Sequence, residues 1–158
     1  MYERVLVPLD GSKVAESVLS HVEELVSKLA PGLKVEVTLF QVLSRTHYVV
    51  AGEASASVRY TEMEMEQIKK QAMDYLDKTG ESLRSKGAIV ECKVGVGRAA
   101  EEIIKAADEI DADVVAMSTH GRSGFSRWAF GSVTDGVLRG GNKPILMVRA
   151  PREIVVET

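Results

Sequence analysis

The chain has 158 residues, of which 45% are hydrophobic and 27% charged, and its formal net charge is −3. This balance predicts one globular domain over residues 1–150, followed by a C-terminal tail at 151–158. A single cysteine excludes a disulfide scaffold, and scattered basic residues argue against nucleic acid as the partner. No apolar run approaches the roughly 20 residues of a membrane span, and no signal-peptide pattern opens the chain, so we expect a cytoplasmic protein with no membrane partner.

The first third of the chain alternates between strand and helix patterns. Residues 4–9 form a short apolar run of the kind found in buried strands. A stripe of apolar residues at helical spacing then runs from Ala15 to Leu29, with Ser12 as its predicted N-cap. Residues 33–43 return to a strand pattern. These features predict a strand–helix–strand unit.

The next segment is less regular. Residues 44–61 are rich in alanine, serine and valine and are longer than most connections in a domain. They could serve as a lid, an interface or a loop. A long helix is predicted over residues 61–86, because Thr61 and Glu64 have the spacing of a capping box.

The second half repeats the alternation. Its strands are predicted at residues 88–94, 112–118 and 143–149. Its helices are predicted at residues 99–110 and 132–139. Strands that are almost continuously apolar, separated by helices, indicate a parallel sheet with helices on both faces. The sequence therefore predicts a single-domain α/β protein with an open parallel five-stranded sheet.

Two predicted strand ends carry residues suited to ligand binding, because ligands of open parallel sheets bind outside the carboxyl ends of the strands. The first is the segment at 8–12, and the second runs from 118 to 124 and continues to the helix start at Gly131 and Ser132. Glycines let the backbone approach an anion, and a helix N-terminus favours phosphate. Hydroxyl groups and positive charge are supplied by Thr119, Ser123, Ser132, Arg122 and Arg127. The pattern favours a polyphosphate ligand.

A purely structural interpretation of the same residues stays open. Gly121 and Gly124 could form a turn, while Ser132 and Asp10 could only cap helices. His120 has no acidic or cysteine partner nearby in the sequence, so it is weak evidence for catalysis. The P-loop pattern, the dinucleotide fingerprint and a zinc-type cluster are all missing from the sequence.

At these residues the chain resembles the universal stress protein family over nearly its full length. The similar segments are residues 5–12 (VLVPLDGS) and 95–102 (GVGRAAEE). The nucleotide-binding branch of the family carries G-x-x-G, nine residues, then G-[ST]. Gly121 and the pair Gly131-Ser132 match the later part, whereas Ser118 stands where the pattern has its first glycine. The resemblance implies the strand order 3-2-1-4-5.

The resemblance also implies an adenine nucleotide as ligand, with ATP preferred and Mg²⁺ able to accompany its phosphates. Pro8 and Asp10 would lie beside the adenosine, and the backbone of Val42 would contact adenine. The ribose and phosphates would be wrapped by Ser118, Thr119, His120, Gly121, Arg122, Ser123, Gly124, Gly131, Ser132, Val133 and Thr134. The sequence does not distinguish ATP from AMP or a cyclic nucleotide.

Family members commonly form homodimers through the last strand, which here starts at Lys143 and ends at Arg149. The expected function is that of a regulatory stress-response protein with at most slow ATP hydrolysis, because only His120 and Asp10 are candidates for that chemistry. The alternative is a dimeric interaction protein of the same family that does not bind nucleotide, and the serine at position 118 is the feature in its favour.

Overall fold

In the computed structural model, which describes residues 3–119 and 131–151, five parallel strands form one sheet. From one edge to the other, the strands are β5 (Ile89–Val96), β2 (Glu36–Leu43), β1 (Arg4–Pro8), β6 (Val114–Thr119) and β7 (Ile145–Arg149). Counted along the chain over these five strands, the order is 3-2-1-4-5. The predicted fold class and strand order are confirmed.

Helices cover both faces of this sheet. One layer holds α2 (Leu19–Leu29), α3 (Glu62–Thr79) and α4 (Glu81–Ser85), and the other holds α5 (Ala99–Glu109) and α6 (Ser132–Gly140). Because side chains alternate along a strand, Val5 and Val7 of β1 join the core under the first layer, and Leu6 joins the core under the second. None of the helices in the described residues is long and apolar enough to cross a bilayer.

Two helices that the sequence predicts as continuous are interrupted. The first is split into α1 (Lys13–Glu16) and α2 at Ser17, whose hydroxyl donates to the Val14 carbonyl at 2.6 Å. The second is interrupted at Gly80, between α3 and α4. A Cβ on Gly80 would lie 2.8 Å from Val90 Cγ1, so the chain approaches β5 too closely for a side chain. Helical periodicity carries no signal for either break.

Residues 44–61, predicted to be irregular, contain an antiparallel hairpin of β3 (Thr46–Ala51) and β4 (Ala54–Arg59). Its two-residue turn starts at Gly52, which has a φ of 66°. Glycine adopts such a positive φ readily, and tight hairpin turns require it. The hairpin packs mainly on itself, and its strand side chains are exposed apart from His47, which stacks on Tyr60. A strand pair with so little burial lacks the alternation that would have predicted it.

The capping box predicted at the start of α3 is present. Glu64 N donates to Thr61 Oγ1, and Thr61 N donates to Glu64 Oε1, both at 3.2 Å. The bond from Thr61 N to the Glu64 carboxylate, followed by the interaction of that carboxylate with the Thr61 hydroxyl, holds the pKa of Glu64 below its ordinary value. Since a lowered pKa stabilises the fold above the unfolded-state pKa, this contribution is lost as the pH falls through the folded-state value.

We expect Thr61→Ala to lower the free energy of unfolding by about 1 kcal/mol, because the Glu64 amide in the first turn of α3 loses its hydroxyl acceptor. Urea unfolding at neutral pH measures the loss. Thr61→Ser keeps the hydroxyl and should be close to wild type. An equal loss in the serine variant would mean that the methyl group, and not the cap, accounts for the effect.

Candidate functional site

A cavity of about 280 Å³ opens at the carboxyl ends of β1 and β6. This is where the strand order reverses, since β1 is followed in the chain by β2 on one side and pairs with β6 on the other. Such crevices are the usual ligand sites of open parallel sheets. The volume is near the lower end of the range of about 300–1,000 Å³ for small-molecule pockets.

Most of the cavity wall is apolar. It is built from side chains that the strands β2 and β6 and the helices α1 and α5 bring to this edge: Val14, Ala15, Phe40, Val42, Ala99, Ile103 and Met117. Phe40 and Met117 also belong to the buried core, so the floor of the cavity is continuous with it. A planar apolar group can therefore be buried here.

The turn after β1 contributes polar groups to one side of the cavity. Asp10 lines it, and its Oδ1 accepts a hydrogen bond from Ser12 N at 2.9 Å. Gly11 between them has a φ of 84°, which only glycine adopts without strain. Ser12 in turn caps α1 by accepting from Ala15 N at 3.1 Å. The local structure thus fixes the Asp10 carboxylate at the mouth, so its structural and ligand-facing roles are compatible.

The first turn of α6 forms the opposite side. Gly131 is the N-cap residue and, with Ser132, Val133 and Thr134, lines the cavity. Amides in the first turn of a helix have no partner within the helix, and Gly131 has no side chain to accept from them. These N–H groups and the positive end of the helix dipole favour an anion at this point.

The end of β6 is tied to α1 by hydroxyl groups. Ser118, which lines the cavity, has its Oγ 2.8 Å from Ser17 Oγ and 3.4 Å from the Ala15 carbonyl oxygen. The next residue, Thr119, is buried and is not among the lining residues of the cavity. Its carbonyl accepts from Ala150 N at 3.0 Å and extends the β6–β7 pairing.

The structure brings together eight of the residues predicted from sequence: Pro8, Asp10, Val42, Ser118, Gly131, Ser132, Val133 and Thr134. The predicted residues His120, Gly121, Arg122, Ser123 and Gly124 lie outside the described residues. Sequence reasoning missed the apolar floor, because Phe40 and Met117 have the same apolar character as ordinary core residues. The described residues contain no group of three or more histidine, cysteine or acidic side chains that could hold a metal ion.

Residues 1–149 match the model of the universal stress protein family. The chain belongs to this family. Its relatives include the universal stress protein MJ0577 of Methanocaldococcus jannaschii, which is 29% identical over 159 residues that cover 94% of this chain and 96% of the relative. The solved structure of MJ0577 has a TM-score of 0.72 to this chain at 26% identity, covering 96% of this chain and 99% of that one.

Two further universal stress proteins of known structure share the fold. One is from Archaeoglobus fulgidus and was solved in complex with dAMP; it has a TM-score of 0.57 at 23% identity, covering 93% of this chain and 98% of its own. The other was solved in complex with cAMP and has a TM-score of 0.61 at 20% identity, covering 94% and 97%. The fold of universal stress proteins therefore extends over nearly all of this chain.

Proposed function

We propose that this universal stress protein binds an adenine nucleotide, with ATP as its ligand, in the cavity between β1, β6 and α6. The observation that carries the proposal is the pairing of an apolar floor with the N-terminus of α6 in one cavity. A nucleotide needs both, because its base is planar and weakly polar and its phosphates are anionic. The dAMP and cAMP complexes of relatives with the same fold support an adenine nucleotide.

Adenine is proposed to lie against the end of β2. Leu9 N donates to the Phe40 carbonyl at 2.8 Å, so the backbone of Phe40 points toward β1. Alternate residues of a strand direct their backbone groups to the same side, and Val42 therefore points that way too. Since β1 ends at Pro8, the backbone N–H and C=O of Val42 face space that β1 has left. They can pair with the edge of a base.

The phosphates are proposed to lie at the first turn of α6, between Gly131 and Thr134. Pro8 and Asp10 would flank the adenosine, and Ser118 would lie nearer the ribose. Thr119 leads the chain from β6 into the segment that contains His120, Gly121, Arg122, Ser123 and Gly124, and we include these residues among those that wrap the ribose and phosphates.

The proposed role is regulatory, in a stress response, with at most slow hydrolysis of ATP. Asp10 is the one acidic residue among the described residues that line the cavity, and hydrolysis requires groups that orient water and stabilise the developing charge. Mg²⁺ would accompany the phosphates of the bound nucleotide. The cytoplasm is the proposed location.

A homodimer formed through β7 is part of the proposal. This strand lies at one edge of the sheet, so one row of its backbone groups has no partner strand within the described residues. Leu146 on the same strand is 37% exposed. Pairing with β7 of a second copy would cover both the strand edge and this side chain.

We expect millimolar ATP with Mg²⁺ to raise the melting temperature by about 5–10 °C, because a ligand at 100 times its Kd stabilises the native state by about 2.7 kcal/mol. Thermal denaturation followed by circular dichroism measures the shift. Inorganic tripolyphosphate, which has the charge but no base, should give a much smaller shift. Comparison with AMP and cAMP ranks the adenine nucleotides.

Two results would contradict the proposal. An equal shift with tripolyphosphate would indicate a simple anion site. If no adenine nucleotide changed the melting temperature, the alternative of a dimeric interaction protein that does not bind nucleotide would be favoured.

A further inference from the structure

The hydroxyl of Ser118 has its proton committed to α1. Ser17 Oγ lies 2.6 Å from the Val14 carbonyl oxygen, the shorter of its two contacts, and 2.8 Å from Ser118 Oγ. A hydroxyl group donates only one hydrogen bond but can accept two. The Ser17 proton is shared between these two acceptors, so Ser118 Oγ is the acceptor in its contact with Ser17.

The other contact of Ser118 uses the proton of Ser118 itself. Its Oγ lies 3.4 Å from the Ala15 carbonyl oxygen, which can only accept. Ser118 is the donor in this contact, so its proton points at α1. Since Ser118 lines the cavity, the group it offers to a ligand is a lone pair, and a bound ligand must supply the donor.

The position of Ser118 identifies which part of a nucleotide can supply that donor. The register pairs Pro8 with Phe40 and Leu6 with Val115. Extended past the strand ends, it puts Val42 level with Asp10 on one side and Ser118 level with Leu9 on the other. Val42 and Ser118 are thus two strand spacings apart, roughly 10 Å. A base held at Val42 spans the first spacing and places its ribose near the second.

Phosphate oxygens are poor partners for Ser118 because ionised phosphate groups have no proton to donate, whereas the 2′ and 3′ hydroxyls of ribose do. We propose that Ser118 Oγ accepts a hydrogen bond from a ribose hydroxyl and makes the site selective for ribonucleotides over the corresponding deoxynucleotide. This inference rests on the proposed function, since it assigns a specificity to that same cavity. Ser17 is a positioning residue, because it acts by holding the Ser118 hydroxyl in the accepting orientation.

The test is titration calorimetry with the magnesium complexes of ATP, 2′-deoxy-ATP and 3′-deoxy-ATP. The wild-type protein should bind one of the two deoxy analogues about 3- to 10-fold more weakly than ATP, which is the effect of one neutral hydrogen bond. In Ser118→Ala, ATP affinity should fall by the same factor. The affinity for that analogue should change less than 2-fold, so the selectivity disappears.

Ser17 variants test the positioning role. Ser17→Ala removes the hydroxyl that donates to Ser118 Oγ and should leave a selectivity between those of wild type and Ser118→Ala, while Ser17→Thr keeps the hydroxyl and should retain the selectivity. Ser27→Ala is the matched control, because Ser27 is an exposed serine on α2 away from the cavity. Its selectivity should equal that of wild type.

The outcomes separate the two proposals. If wild-type protein binds none of the three nucleotides, the proposed function fails, and this inference fails with it. If wild-type protein binds ATP and both deoxy analogues equally, or if Ser118→Ala keeps the selectivity, only the role of Ser118 is overturned. The wild-type comparison and the Ser17 variants decide the matter even if Ser118→Ala does not fold.

Discussion

Ser132→Glu is expected to weaken ATP binding at least 30-fold while the melting temperature of the ligand-free protein stays the same or rises slightly. Ser132 is the first residue of α6 and lines the cavity. A carboxylate in the first turn of a helix is favourable by about 0.3–1 kcal/mol, so the fold is not weakened. Two unit charges 4 Å apart interact by about 4 kcal/mol at an effective dielectric constant of 20. Half of that repulsion already corresponds to a factor of about 30.

Ser132→Gln is the control for this experiment, since it has the same shape as glutamate without the charge. Its affinity for ATP, measured by calorimetry, should fall less than 10-fold. Raising the salt concentration should recover part of the loss in the glutamate variant only. Near wild-type affinity in Ser132→Glu would remove the N-terminus of α6 from the phosphate site.

Leu39→Ala is expected to have the largest effect on stability, lowering the free energy of unfolding by about 3 kcal/mol or more. Leu39 is 0% exposed at the centre of β2 and belongs to the core under α2, α3 and α4. It also lies under the α3–α4 junction, where a Cβ on Gly80 would be 3.4 Å from Leu39 Cδ1. β2 is paired with β1 on one side and with β5 on the other, so the backbone around Leu39 cannot easily move into the space that the side chain leaves.

Urea unfolding of Leu39→Ala measures this loss, and the melting temperature should fall by about 6–12 °C. Met63→Ala serves as the comparison, because Met63 is 82% exposed on α3 and exposed substitutions usually change stability by less than about 0.5 kcal/mol. A loss below about 1 kcal/mol in Leu39→Ala would mean that β2 tolerates a cavity at its centre.

The parallel sheet was predictable because its strands are buried on both sides. Val5, Leu6 and Val7 are apolar without alternation, since α2 and α3 cover one face and α5 and α6 cover the other. That pattern occurs in few other settings. The hairpin at β3 and β4 escaped prediction for the opposite reason, because most of its side chains are exposed and no periodic burial shaped its sequence.

The candidate site was predictable where its chemistry departs from that of the core. Asp10 follows the end of β1 and Gly131 precedes α6, and a carboxylate or a glycine at such a position stands out from the apolar residues of the core. Phe40 and Ile103 gave no signal, because a residue that lines a cavity and a residue that fills a core are both apolar. The proton direction at Ser118 also could not be read from sequence, since it depends on the carbonyl of Ala15, 103 positions away.

The two ends of the hairpin segment lie next to each other. Tyr60 N donates to the Arg45 carbonyl at 2.9 Å, so the chain leaves the body of the protein and returns to it at one point. An appendage attached in this way can change in length or composition at little cost to the sheet, because lengthening a closed surface loop is entropically cheap. The segment is therefore a natural place for members of one fold to differ, and for a peptide tag to be grafted into this chain.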